Sequence, residues 1–116
     1  MTRQIKQSSG TCRQRQVLIL AVIMMVASPC SAETIKITIK DMAFEPAHVT
    51  AQVGDTIEWT NQDFVQHSAT ARKDQWDQKI TPNGKAQVVL KQKGDVEYYC
   101  RYHPTMNGII TVEDAK

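Results

Sequence analysis

Val96-Glu97-Tyr98-Tyr99-Cys100-Arg101-Tyr102-His103-Pro104-Thr105-Met106 runs from a strand-like stretch straight into three metal-seeking side chains set three residues apart. Cys100, His103 and Met106 bring a thiolate, an imidazole and a thioether onto one short segment. On a helix, spacings of three would share one face. Pro104 argues against a helix, because it lacks an N–H and disfavours the α region for His103 before it. The segment reads as a tight, irregular loop leaving the end of a strand. A further histidine, His67, stands upstream, after a polar stretch that begins at Asn61. Coming from another strand or loop, it would close the site from a second direction.

Donor softness selects the metal. Zinc binds cysteine and histidine readily but has little use for methionine, whereas copper cycling through Cu(I) accepts both sulfurs. Two imidazoles and a thiolate in a trigonal arrangement, with a weak axial thioether, suit one copper ion and electron transfer. His67, Cys100, His103 and Met106 are therefore the candidate ligands. His48 opens an expected strand with no cysteine or methionine at matching spacing, so it reads as a surface histidine. Met42 precedes the ligand-bearing strands and reads as core or surface. No Ser-His-Asp set, catalytic carboxylate pair or phosphate loop rises above chance, so the chain does not read as an enzyme.

The 116 residues suffice for one ordinary domain. Arg3, Lys6, Arg13 and Arg15 precede an apolar run, Val17 to Ala27, and then small residues up to Ala32. This is the pattern of a secretory signal peptide, residues 1–32, with a mature domain over 33–116. The apolar run is well short of the roughly 20 residues a spanning helix needs, so no membrane span is expected. Gln14 separates Arg13 from Arg15, which favours ordinary secretory export to the periplasm over the twin-arginine route. A lipid anchor on Cys30 is the competing reading, and Pro29 before it fits poorly.

Cleavage changes two counts. Of three cysteines, Cys12 and Cys30 leave, and Cys100 remains as an unpaired thiol in an exported domain. Such a thiol needs a purpose other than a disulfide, and ligation, which holds it deprotonated, supplies one. The alternative is a buried cysteine acting as a small hydrophobe, and neighbouring His103 and Met106 weigh against it. The leader also takes four of the fourteen basic residues, leaving ten against twelve acidic ones. The mature charge is thus about −2, with no basic cluster to suggest nucleic acid.

Thr34 to Lys40 alternates Ile35, Ile37 and Ile39 with polar residues, a half-buried strand of period two. His48 to Val53 follows, closed by a Gly54-Asp55 turn, and Thr56 to Thr60 alternates again. Ser68-Ala69-Thr70 continues extended after His67. Arg72 to Pro82 is charged and reads as an irregular loop carrying Trp76. Lys85 to Lys91, Asp95 to Cys100 and Gly108 to Glu113 complete the set. No segment holds a 3.6-residue period, so the fold class is all-β, a sandwich or barrel. Trp59 reads as core, and one of Tyr98 and Tyr99 should face in and the other out.

Gly54-Asp55-Thr56-Ile57-Glu58-Trp59-Thr60-Asn61, then His67, then Tyr99-Cys100-x-x-His103-Pro104-x-Met106, resembles the cupredoxin family over essentially the whole mature domain. The short ligand loop, with proline after its histidine, looks most like that of the amicyanins. The resemblance implies a Greek-key β-sandwich holding a single type 1 copper. It implies an exported, monomeric electron carrier, with His67, Cys100, His103 and Met106 as ligands. A dehydrogenase donor and a c-type cytochrome acceptor, met transiently, are the implied partners. It also makes Asn61 a brace for His67 and aims the Ser68 N–H at the Cys100 sulfur. His103 becomes an electron port in an apolar patch with Tyr102, Pro104 and Met106. Two departures stand out: Ser68 where amicyanins carry asparagine, and Tyr102 where they carry proline. The competing function is a copper carrier or buffer, which would favour clustered exposed methionines. The mature chain offers only Met42 and Met106.

Overall fold

The computed structural model describes residues 32–115. The leader read over residues 1–32 lies, Ala32 apart, outside the described residues, as do Cys12 and Cys30. All regular structure among the described residues is strand: β1 (Thr34–Lys40), β2 (Ala43–Glu45), β3 (His48–Gln52), β4 (Thr56–Asn61), β5 (His67–Ala71), β6 (Asp77–Ile80), β7 (Lys85–Val89), β8 (Gly94–Cys100) and β9 (His103–Glu113). Four strands form one sheet in the order β2-β1-β4-β7, and five form the other in the order β3-β9-β8-β5-β6. Both sheets are mixed, since β1 runs parallel to β4 and β3 parallel to β9. The chain changes sheet repeatedly, the connectivity of the expected Greek-key sandwich. No helix among the described residues is long and apolar enough to cross a membrane.

The period-two pattern drives the packing. Ile37 and Ile39 of β1 and Ile57 and Trp59 of β4 turn inward to meet Tyr98 and Ile110 of the second sheet. Burying each such side chain contributes about 1.5–3 kcal/mol. The centre is aromatic: Tyr98 lies edge-on to Phe44 at 4.7 Å and to Trp59 at 5.5 Å between ring centroids. Gly108 of β9 leaves room for the Tyr98 ring, which a methyl group there would strike. Among the described residues, Trp59 Nε1 and Tyr98 Oη are buried without a hydrogen-bond partner. As expected, Tyr98 faces in and Tyr99 is only half-buried.

Three elements depart from the expected strands. The Arg72 to Pro82 stretch contains β6, an edge strand paired to β5 from Thr70↔Asp77 to His67↔Ile80. Only Ile80 of its four residues is buried, so it carries no alternating apolar signal. The three-residue β2 is too short to show a period at all. β9 starts at His103 rather than Gly108, yet its pairing with β8 is broken there. Tyr99 faces Asn107 and Cys100 faces His103. Pro104, Thr105 and Met106 therefore bulge out of the ladder, which is where a proline does no harm.

Candidate metal centre

Cys100 ends β8 and His103 opens β9, with Arg101 and Tyr102 as the turn between them. Direct cross-strand pairing sets the two candidate ligands opposite each other. The Cys100 Sγ lies 3.6 Å from His103 Nδ1 and 3.7 Å from His67 Nδ1. All three donor atoms fall within 4.8 Å of one another. The two rings meet edge-on with centroids 5.0 Å apart. Such separations fit an ion shared among the donors: bonds of roughly 2.0 and 2.2 Å meeting near 120° span about 3.6 Å. Cys100 and His67 are 0% exposed, while His103 is half-buried. Met106, three residues past His103 at the inner end of the bulge, is 3% exposed between the exposed Thr105 and Asn107.

Each donor is held by a second set of contacts. The backbone N–H of Ser68 donates to Cys100 Sγ at 3.4 Å, as the sequence suggested. Asn61 is fully buried and is a bracket rather than a plain turn residue. Its Nδ2 donates to the carbonyls of Val65, Ile80 and Thr81, and its Oδ1 accepts from the N–H of Asp63. That ties the turn before His67 to the end of β6. His48, by contrast, is exposed and meets Thr111, as a surface histidine should.

Asp63 was not legible as part of the site. Its Oδ2 accepts a 2.8 Å bond from His67 Nε2, which places the ring proton there and leaves Nδ1 facing the sulfur. Asp63 is itself held by the N–H groups of Asp41 and Met42, at 2.8 and 3.0 Å. These two residues form the β1–β2 hairpin turn with φ of 52° and 62°, a left-handed pair that hairpins usually fill with Asn-Gly. Burial pushes the Asp63 carboxyl up, but the Met42 N–H, the His67 ring and the Asp41 N–H outweigh it. The group therefore sits below the ordinary aspartate range. A carboxylate four residues before a candidate ligand histidine, inside its delivering turn, was the available signal.

The surface around the cluster differs from expectation in one member. Tyr102 and Pro104 are exposed as the family pattern implied, but Met106 is buried and contributes nothing to an outer patch. Further apolar exposure lies at the turn around Asp63, where Phe64 is 91% exposed and Val65 and Met42 are exposed as well. A cleft of about 530 Å³, lined by Trp76, Gln78, Gln87 and Leu90 among others, includes none of the ligand candidates.

A family model described as a cupredoxin-like domain matches residues 16–112. Amicyanin from Paracoccus versutus is 22% identical over 112 residues, covering 91% of this chain and 85% of that protein. A purple cupredoxin from Nitrosopumilus maritimus superposes with a TM-score of 0.63 at 23% identity, over 68% of this chain and 99% of that one. The Cu(I) form of a methionine-to-alanine variant of amicyanin gives a TM-score of 0.61 at 23% identity, over 69% and 82% of the two chains. At such identities the two superpositions speak for the sandwich fold.

Proposed function

This chain belongs to the cupredoxin-like family, and from that premise we propose that it is an exported electron carrier binding one type 1 copper ion through His67, Cys100, His103 and Met106. The observation that carries the reading is the convergence of two Nδ1 atoms on one buried thiol at 3.6 and 3.7 Å. Copper bound there supplies a one-electron Cu(I)/Cu(II) couple. Everything else is done by the chain. Drawn from β5 and from the β8–β9 hairpin, the donors sit on three adjacent strands of one sheet, so their spacing is set by the fold. The Ser68 N–H draws electron density from the thiolate, and Pro104 cannot add a second donor of that kind.

His103 is the natural electron port, because its ring is half-buried while the other donors are enclosed. Exposed Tyr102 and Pro104, the chain neighbours of His103, give it an apolar surround for brief contacts. Redox encounters of this kind bury less than about 1,200 Å² in total. A dehydrogenase donor and a c-type cytochrome acceptor are the partners that the family likeness suggests. The signal-like residues 1–32 support export to the periplasm, leaving 33–116 as the working domain. Enclosed Cys100, His67 and Met106 favour retention of the ion over its handing on, and so favour a carrier of electrons over a carrier of copper.

Titration of the purified domain with Cu(II), read by visible absorption, tests this. One equivalent should produce an intense thiolate-to-copper band. The reduced protein should then pass its electron to a cytochrome while keeping its copper. A protein that stays colourless at one equivalent sinks the copper reading, and copper lost on electron donation sinks the carrier reading.

A further inference from the structure

Ser68 and Thr70 lie on the outer face of the second sheet, where water is expected, yet they are 1% and 5% exposed. Ala69, Ala71, Tyr98 and Cys100 occupy the opposite, core-facing side of β5 and β8. Both hydroxyls are covered and bonded by one closed circuit. The backbone N–H of Arg101 donates to Ser68 Oγ at 2.8 Å. Ser68 Oγ and Thr70 Oγ1 are 2.8 Å apart, and Thr70 Oγ1 donates to Asp77 Oδ1 at 2.8 Å. Arg101 Nη2 then donates to Asp77 Oδ2 at 2.6 Å, returning to the residue where the circuit began.

The donor direction follows from the charge. Asp77 can only accept, so the Thr70 proton points to it, the Ser68 proton points to Thr70, and the Arg101 amide points to Ser68. Bonds aligned head to tail reinforce one another, and a buried network that satisfies every member rigidifies its surroundings. The Asp77–Arg101 ion pair is half-exposed at both ends. A pair of that kind adds little stability by itself. Its place in the circuit gives it a different use. Ser68 holds the thiolate with its N–H and the next peptide with its Oγ, so it grips Cys100 and Arg101 together.

We infer that Asp77 is a positioning residue for the metal centre: by fixing Thr70 and Ser68 through one oxygen and the Arg101 guanidinium through the other, it clamps the ligand hairpin to β5 and sets the Ser68 N–H to sulfur contact. The inference rests on the metal reading above. It assigns to β6, an edge strand that carries no ligand, a share in tuning the thiolate. Loosening the clamp lengthens that contact, leaves more electron density on sulfur, favours Cu(II) and lowers the reduction potential.

The test uses Asp77→Ala and, because it preserves side-chain shape, Thr70→Val. In metal-free protein, amide exchange at Ser68 and Arg101 should quicken at least tenfold in both variants, with Ile57 in β4 unchanged. In copper-loaded protein, both should shift the Cu(II)/Cu(I) ratio about threefold toward Cu(II) at fixed potential. That is a fall of about 30 mV at roughly 59 mV per tenfold. The double variant should move the potential no further than the larger single change, as members of one circuit do. Parent-like exchange and potential in both variants overturn the proposal, as does acceleration at Ile57 equal to that at Ser68, which marks general loosening. If the parent itself takes up no copper, the metal reading has failed, and the exchange measurements still decide whether the clamp exists.

Discussion

His67 and His103 present the same atom, Nδ1, to the same sulfur at nearly the same distance, and in every other respect they are built differently. His67 is sealed in. Its far nitrogen is bonded to Asp63, which is held in turn by the β1–β2 hairpin, while Asn61 locks the turn that delivers it. His103 sits at the mouth of a two-residue turn, half-buried, and among the described residues its Nε2 has no hydrogen-bond partner. One imidazole is anchored through two layers of structure; the other leaves an edge toward solvent. A site that must hold an ion in place and still exchange electrons with a second protein needs both kinds.

The largest effect should come from removing what the two histidines share. Cys100→Ser replaces a soft thiolate with a hard hydroxyl in a fully buried position. The charge-transfer band should vanish altogether, and fast electron exchange with it. A variant that stays coloured would show that the histidines converge on something other than the ligand sulfur.

Replacing each histidine separately breaks the comparison directly. His103→Gly should open a vacancy at the surface, and added imidazole should enter it and restore the band. His67→Gly should leave a closed cavity flanked by Asp63, with added imidazole restoring far less of the band. The expected asymmetry is at least tenfold in the imidazole concentration needed for half recovery. Equal rescue of both variants would mean that the burial difference has no functional consequence. Unchanged exchange rates with external partners in His103→Gly, before any rescue, would remove the port assignment.

How much of this asymmetry could be read beforehand follows from where each signal lives. The clustering of His67, Cys100 and His103 was legible because cysteine and histidine are rare side chains with strong donor chemistry, and spacing around Pro104 restricted the backbone. The sandwich was legible because Ile35, Ile37 and Ile39 alternate without ambiguity. β6 was hidden because an edge strand with one buried residue needs no apolar period. Asp63, Thr70 and Asp77 were hidden for a related reason. Their types are common, and their roles depend on partners as far as 22 and 24 residues away, such as Asp41 and Arg101, which only the register of paired strands brings together. The bulge at Pro104 to Met106 placed Met106 inside, where a surface role had been expected.

The finest test of the comparison is Asp63→Asn, which keeps the shape of the anchor and removes its charge. An amide oxygen cannot accept from Asp41, Met42 and His67 together as a carboxylate does, so the His67 ring loses its fixed tautomer. Changes of this kind to a ligand's hydrogen-bond partner cost about 10–100-fold in metal affinity, and the exposed side of the site should hold this one near the lower figure. A pH dependence goes with it. The folded carboxyl titrates below the ordinary aspartate range, so the unfolded chain takes up its proton first as the solution is acidified. Its contribution to stability is complete above the ordinary aspartate range and drains away as the pH falls through the depressed folded value. Denaturant unfolding of the metal-free protein should therefore show a shallower acid limb in Asp63→Asn than in the parent, with the two curves running parallel above about pH 5. Identical acid limbs together with unchanged copper affinity would leave His67 anchored by packing alone, and the contrast between the two histidines would reduce to exposure.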